Sequence, residues 1–241
     1  MSEFNKIDGI KYDNEKLRLF LKEQNEYYDV ILNYSHKEAE IDISNAKYLD
    51  EEDTAYIRRH KNPKLQQEIA LGRFSAKTAV SALIDKSVEN INITKGVFNQ
   101  PVVRVRNHGE DMNPQVSLSH CGNIAVSLAY PDKLIIGIDI EEQLGEAKAD
   151  GMKLSENEKV LLTTNNVEKT YLWTIREALI KCLKVSVFFS SDVMEITELV
   201  CEERCIKGSF KNFSQYVFKA WKYNEFFVAI VYPRRTELLD N

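Results

Sequence analysis

Ile135-Ile136-Gly137-Ile138-Asp139-Ile140-Glu141 reads as a buried strand, with β-branched residues packed densely around one glycine. Two carboxylates sit in it, two residues apart. Alternate side chains of a strand turn to opposite faces, so Asp139 and Glu141 share a face. Like charges side by side in an apolar strand repel each other and resist desolvation. Two readings follow. Either the acidic end of the strand emerges into solvent, or something positive lies between the acids. A hard cation that takes oxygen ligands is the simplest such group.

The segments upstream of this strand read as an α+β unit. A short helix is expected around Leu17, Leu19, Phe20 and Leu21, leading to a strand at Tyr28-Asp29-Val30-Ile31-Leu32-Asn33-Tyr34. Asp50 caps a helix whose first turn is acidic, and a second helix runs from about Pro63 to Ile84. The segment 88–112 is mixed. It breaks at Asn99-Gln100-Pro101, and Arg104, Arg106 and His108 follow on alternate positions. Val116-Ser117-Leu118-Ser119-His120 is a short strand, Cys121-Gly122-Asn123 a turn, and Ile124 to Tyr130 another strand.

Downstream the order repeats. A loop with Gly145 and Gly151 precedes Ser155 and Glu158, which have capping-box spacing. A long helix spans about 168–184, and strands follow near 193–200, 206–211, 215–222 and 225–232, the last two joined at Tyr223-Asn224. Strand 30–35 matches 136–141, Lys77 matches Lys181, and residues 125–131 match 227–233, the offset drifting from 106 to 102. The pattern predicts two similar α/β lobes related by internal pseudo-twofold duplication, 1–132 and 133–241, with a site between them. The repeat is asymmetric: Asn33 and Ser35 stand where the second lobe has Asp139 and Glu141. A strand evidently built without acids in one copy carries them in the other, which points to a site.

On the helix near 170–184, Tyr171, Leu172, Ile175, Ala178, Leu179, Cys182 and Leu183 form an apolar stripe. At about 100° per residue, Trp173, Glu177 and Lys181 fall together on the opposite side. Such a face normally goes to water, and Glu177 with Lys181 could be a plain i,i+4 pair. The tryptophan prefers cover, so this face is expected to pack against something, taking the acid and the lysine with it.

Composition bounds the function. The 241 residues are 44% hydrophobic and 29% charged, with a formal net charge of −5. This is ordinary for a globular chain with a real core, and too acidic for a nucleic-acid footprint. No apolar run approaches the roughly 20 residues of a membrane span. The four cysteines show no CxxC spacing, and the start has no apolar signal region, so the cytoplasm is the expected compartment. There is no Walker-type phosphate loop and no GxGxxG.

Four elements in order carry a family resemblance: Pro101; Ser117-Leu118-Ser119-His120; Gly137-Ile138-Asp139-Ile140-Glu141; and Trp173-Thr174-Ile175-Arg176-Glu177-Ala178-Leu179-Ile180-Lys181. Together they resemble the 4′-phosphopantetheinyl transferases. The likeness is to the two-lobed monomeric class that serves nonribosomal peptide and polyketide synthetases, beside the carriers of fatty acid synthesis. Three departures stand out: Gln100 where the family has lysine, Arg176 where it has lysine before the helix glutamate, and Cys182-Leu183-Lys184-Val185 where a glycine-lysine-glycine pattern is frequent. The resemblance implies Mg²⁺ on Asp139, Glu141 and Glu177, with coenzyme A as co-substrate and an apo acyl or peptidyl carrier protein as partner. Glu177 and Lys181 would be catalytic, and Arg73, Lys77, Pro101, Ser119 and His120 would bind coenzyme A. A non-catalytic relative that binds coenzyme A or a carrier, and a Mg²⁺-dependent pyrophosphohydrolase, are the alternatives. Monomer is the expected state.

Overall fold

A computed structural model describes residues 5–106, 113–185 and 192–239, so His108 lies outside the described residues. The chain is mixed α+β and divides into two compact units, Met1–Leu134 with Glu237–Asn241, and Ile135–Thr236.

The first unit runs β1 (Asn5–Ile7), β2 (Ile10–Leu21), β3 (Glu26–Lys37), α1 (Glu51–Arg58), α2 (Pro63–Ile84), a single 3₁₀ turn, β4 (Ile91–Lys95), β5 (Pro101–Val105), β6 (Pro114–Cys121) and β7 (Ile124–Pro131). Its main sheet has the order β1-β2-β3-β7-β6, and the last strand of the chain, β13 (Thr236–Leu239), also pairs with β2. The expected helix near residue 20 is instead the end of β2. Leu17, Leu19 and Leu21 are all buried while Lys16, Arg18 and Phe20 are not, which is a strand's period of two rather than a helical stripe.

Two local devices start the helices. The Asp50 carboxylate accepts from the Asp53 amide at 2.8 Å, and Asn62 accepts from the Lys64 amide at 2.9 Å with Pro63 in the first helical turn. The helix α2 is buried without interruption from Ala70 to Val80. It lies against β3, β6 and β7, and also meets α1 and β4. It therefore has no exposed flank over those turns.

The second unit runs β8 (Gly137–Glu141), α3 (Glu146–Gly151), α4 (Glu156–Asn165), α5 (Lys169–Cys182), β9 (Ile196–Cys201), β10 (Ile206–Phe210), β11 (Tyr216–Tyr223) and β12 (Phe226–Pro233). The stretch expected to be a loop around Gly145 and Gly151 folds one and a half turns of helix, α3. The capping box of α4 is present: Ser155 Oγ accepts from the Glu158 amide, and Glu158 accepts from the Ser155 amide at 3.0 Å. The sheet order is β8-β12-β11-β10-β9, antiparallel throughout. The apolar stripe of α5 (Leu172, Ile175, Ala178, Leu179, Cys182) packs with Phe210, Phe218, Ala220, Ala229 and Val231 into one core.

The two units repeat one plan. The order β3-β7-β6 in the first corresponds to β8-β12-β11 in the second, each with its long helix on β3 and β7 or on β8 and β12. The register repeats as well: Asn33 pairs with Ser127 and Ile31 with Ala129, while Asp139 pairs with Ala229 and Gly137 with Val231. These are the same positions under the sequence offsets. The units differ in their extra hairpin. β4 and β5 form a sheet of their own, whereas β9 and β10 extend the main sheet.

Candidate active site

The acids are placed by an unusually close approach of strand to helix. A β-carbon on Gly137 would lie 2.0 Å from the Ala178 carbonyl oxygen and 2.4 Å from the Cys182 nitrogen. Only glycine lets β8 touch the α5 backbone there. Asp139, two residues along, is 2% exposed, and Lys181 Nζ of α5 reaches its Oδ1 at 2.5 Å. Glu141, on the same face, accepts a hydrogen bond from Trp173 Nε1 at 2.8 Å. Trp173, Glu177 and Lys181 are half-buried on one face of α5.

Burial, then the charge of Asp139, raises the Glu177 carboxyl above its ordinary value, and Glu141 adds to the effect while Lys181 and Lys148 oppose it. Glu141 is raised in the same way, by burial first and Asp139 second, against its bond from Trp173. Asp139 and Glu141 thus share a half-dry patch with Glu177, with Lys181 as the cation on Asp139. Among the described residues, no group of three or more His, Cys, Asp or Glu is arranged to hold a metal ion. By chemistry the donor set suits a hard cation: three mutually repelling oxygen donors whose ionised forms gain from positive charge.

Arg176, where lysine was expected from the resemblance, faces the other way. Its Nη2 contacts both oxygens of Glu158 at 2.7 Å, and Nη1 reaches the Lys153 carbonyl at 3.2 Å. Both side chains are buried. Glu158 also accepts from the Ile196 amide at 3.0 Å, so the pair joins α4, α5 and β9.

The first unit carries the same device. Asp53, at the equivalent position of α1, lies 3.0 Å from Arg73 Nε and 2.6 Å from Lys77 Nζ, and Lys77 also donates to the Tyr48 carbonyl at 2.9 Å. Arg73 and Lys77 are 7% and 1% exposed. Both cations are therefore engaged inside their own unit, on a stretch of α2 that is buried on all sides. Where the second unit has its acids, the first has a neutral network. Asn33 Oδ1 accepts from Ser35 at 2.6 Å and Ser75 at 2.7 Å, Asn33 donates to Asn14 at 2.9 Å, and Ser75 meets Ser127 at 2.7 Å.

The remaining candidates also belong to the first unit. Ser119 is buried on β6, His120 Nδ1 lies 3.8 Å from Glu68 Oε2, and Pro101 opens β5, which runs beside β6. The structure therefore brings together Asp139, Glu141, Trp173, Glu177 and Lys181, and keeps Arg73 and Lys77 with Asp53. Sequence reasoning missed Lys148, on α3, whose Nζ stands 3.9 Å from the centroid of the Trp173 ring. Nothing in its flanking Ala147 and Ala149 signals a role. The buried acids Asp53 and Glu158 did have a signal, each lying three residues after its N-cap.

Residues 135–231 match the family model described as the 4′-phosphopantetheinyl transferase superfamily. Among solved structures, a Thermotoga maritima holo-acyl-carrier-protein synthase is similar at 19% identity and a TM-score of 0.32, over 63% of this chain and 80% of that one. No curated protein matches the sequence.

Proposed function

We propose, from a segment at residues 135–231 that belongs to the 4′-phosphopantetheinyl transferase superfamily, that this protein moves 4′-phosphopantetheine from coenzyme A to a serine of an apo carrier protein. One observation carries the reading: Asp139 and Glu141 of β8 meet the Trp173, Glu177 and Lys181 face of α5, with Lys181 2.5 Å from Asp139 and the Trp173 indole 2.8 Å from Glu141. Three acids and a lysine crowded onto one strand and one helix, half removed from water, are costly to the fold and suited to phosphoryl chemistry.

Asp139, Glu141 and Glu177 would hold Mg²⁺. The ion, when bound, supplies polarisation of phosphate oxygens and charge for the departing group. Glu177 accepts the proton of the carrier serine. Its carboxyl, held above the ordinary value, is a stronger base than a solvated glutamate. The serine oxygen forms its bond to the β-phosphorus as the bond from that phosphorus to 3′,5′-ADP breaks. Lys181 balances negative charge on the leaving side. Trp173 keeps Glu141 in place through its indole N–H. Ser119 and His120 of the SH element, with Pro101, are proposed contacts for coenzyme A.

The test combines purified protein, Mg²⁺, coenzyme A and a panel of apo acyl and peptidyl carriers, read by intact mass. A carrier gaining one phosphopantetheine, with 3′,5′-ADP released in equal amount, is the expected result, and Glu177→Gln should abolish it. A panel left wholly unmodified would overturn the reading. Release of 3′,5′-ADP with no carrier present would replace transfer by hydrolysis.

A further inference from the structure

We propose that Lys148 is a positioning residue that acts on Glu141 through Trp173. The geometry is a relay across two elements: the Lys148 ammonium stands 3.9 Å from the indole centroid, and the indole N–H donates to Glu141 Oε1 at 2.8 Å. A cation over the face of an indole restrains the ring's tilt, and an ammonium over the π-system makes the N–H a stronger donor. Both effects favour the bond to Glu141.

The placement of Lys148 is built. The segment leading into α3 is fastened to the first turn of α5, where the buried Thr170 hydroxyl accepts from the Gln143 side chain at 3.1 Å and from the Leu144 amide at 3.2 Å. The far end of α3 is fastened too, by Lys169 Nζ on the Ala149 carbonyl at 3.1 Å and on Asp150 at 3.5 Å. Lys148 lies between these fasteners and is itself exposed. An exposed lysine on a short helix would otherwise sample many rotamers. Here its backbone is pinned to the helix that carries Trp173, which keeps the ammonium within reach of the ring. Glu141 ends β8, where its backbone is in register with Phe227 of β12, and its side chain accepts from Trp173 of α5. Its orientation depends on what reaches it from α5.

This inference concerns the site of the proposed transfer, but its first readout needs no substrate. In ¹⁵N-labelled protein with Trp221→Phe, the one remaining indole N–H is that of Trp173. Lys148→Met, which keeps the stem and removes the charge, should shift that resonance and raise its solvent exchange several-fold. Lys148→Arg should restore both, and Glu141→Gln should reproduce the shift with Lys148 in place. An indole N–H unchanged in Lys148→Met overturns the proposal. If transfer occurs as proposed above, Lys148→Met should lower kcat several-fold with KM for coenzyme A within about two-fold, and Lys148→Arg should recover it. Exchange that changes while kcat does not would reduce Lys148 to a mere surface contact and overturn its positioning role. If no carrier is ever modified, the transfer reading falls while the indole measurement still decides this one.

Discussion

Glu177 sits where the fold disfavours its ionised form. Burial and the neighbouring Asp139 raise its carboxyl above the ordinary value, and Lys181 offsets only part of this. Between the ordinary carboxylate range and that raised value, the folded protein binds more protons than the unfolded chain. Stability therefore falls as pH rises through this window, and the contribution is fully favourable only below the unfolded value. Glu177→Gln removes the liability. Its melting temperature should exceed that of the parent at pH 7, and the gap should close below about pH 4, where both side chains are neutral. Thermal melts at a series of pH values check this, and a variant less stable than the parent at pH 7 would contradict it. The same substitution should end the proposed transfer, so the side chain that weakens the fold would be the one that chemistry needs.

Between elements, the decisive contact is the backbone of β8 against that of α5. A single added methyl at position 137 meets the Ala178 carbonyl oxygen and the Cys182 nitrogen, neither of which can rotate away. Gly137→Ala should cost at least the upper part of the about 1–3 kcal/mol typical of overpacking, and should carry Lys181 away from Asp139. Urea unfolding measures the first effect, and an unchanged midpoint would show that the helix yields easily. Much at this scale was legible. The bounds of α2, the capping box at Ser155 and the glycine-isoleucine-aspartate-isoleucine-glutamate strand all follow from local chemistry, because caps and β-branched runs act over a few residues. β2 was misread because Leu19, Phe20 and Leu21 are consecutive apolar residues and mask the alternation of Leu17, Leu19 and Leu21. α3 was missed because its N-cap Gly145 and its last residue Gly151 look like loop residues, and what fastens it lies 20 to 26 residues away at Lys169 and Thr170. The engagement of Arg73 and Lys77 was equally hidden, since Asp53 reaches them only through the packing of α1 on α2.

Over the whole molecule, one plan is used twice with different contents. The sheet positions that hold Asp139 and Glu141 in one unit hold Asn33 and Ser35 in the other, under the same register. The asymmetry could be read from sequence, but the closure of the neutral network could not, because Ser75 and Ser127 come from other elements. In the first unit Asn33 is fully buried, and its partners among the described residues, Asn14, Ser35 and Ser75, include no cation. Asn33→Asp should therefore cost about 3–5 kcal/mol at neutral pH, as an uncompensated buried charge does. Chemical denaturation at pH 7 checks it, and a loss below 1 kcal/mol would mean the network admits a charge after all. Among the described residues no helix is long and apolar enough to cross a membrane.

The strand Thr236–Leu239 hydrogen-bonds to β2, and Glu237 lies 3.6 Å from Lys22. On the ribosome β2 is made more than two hundred residues before this partner. Part of the border of β2 must wait, with open backbone groups, until more than two hundred further residues have emerged. Such a border is a template for pairing with any neighbouring nascent chain. Speed of synthesis and chaperone cover during that interval would then govern the yield of native protein as much as the equilibrium stability of either unit.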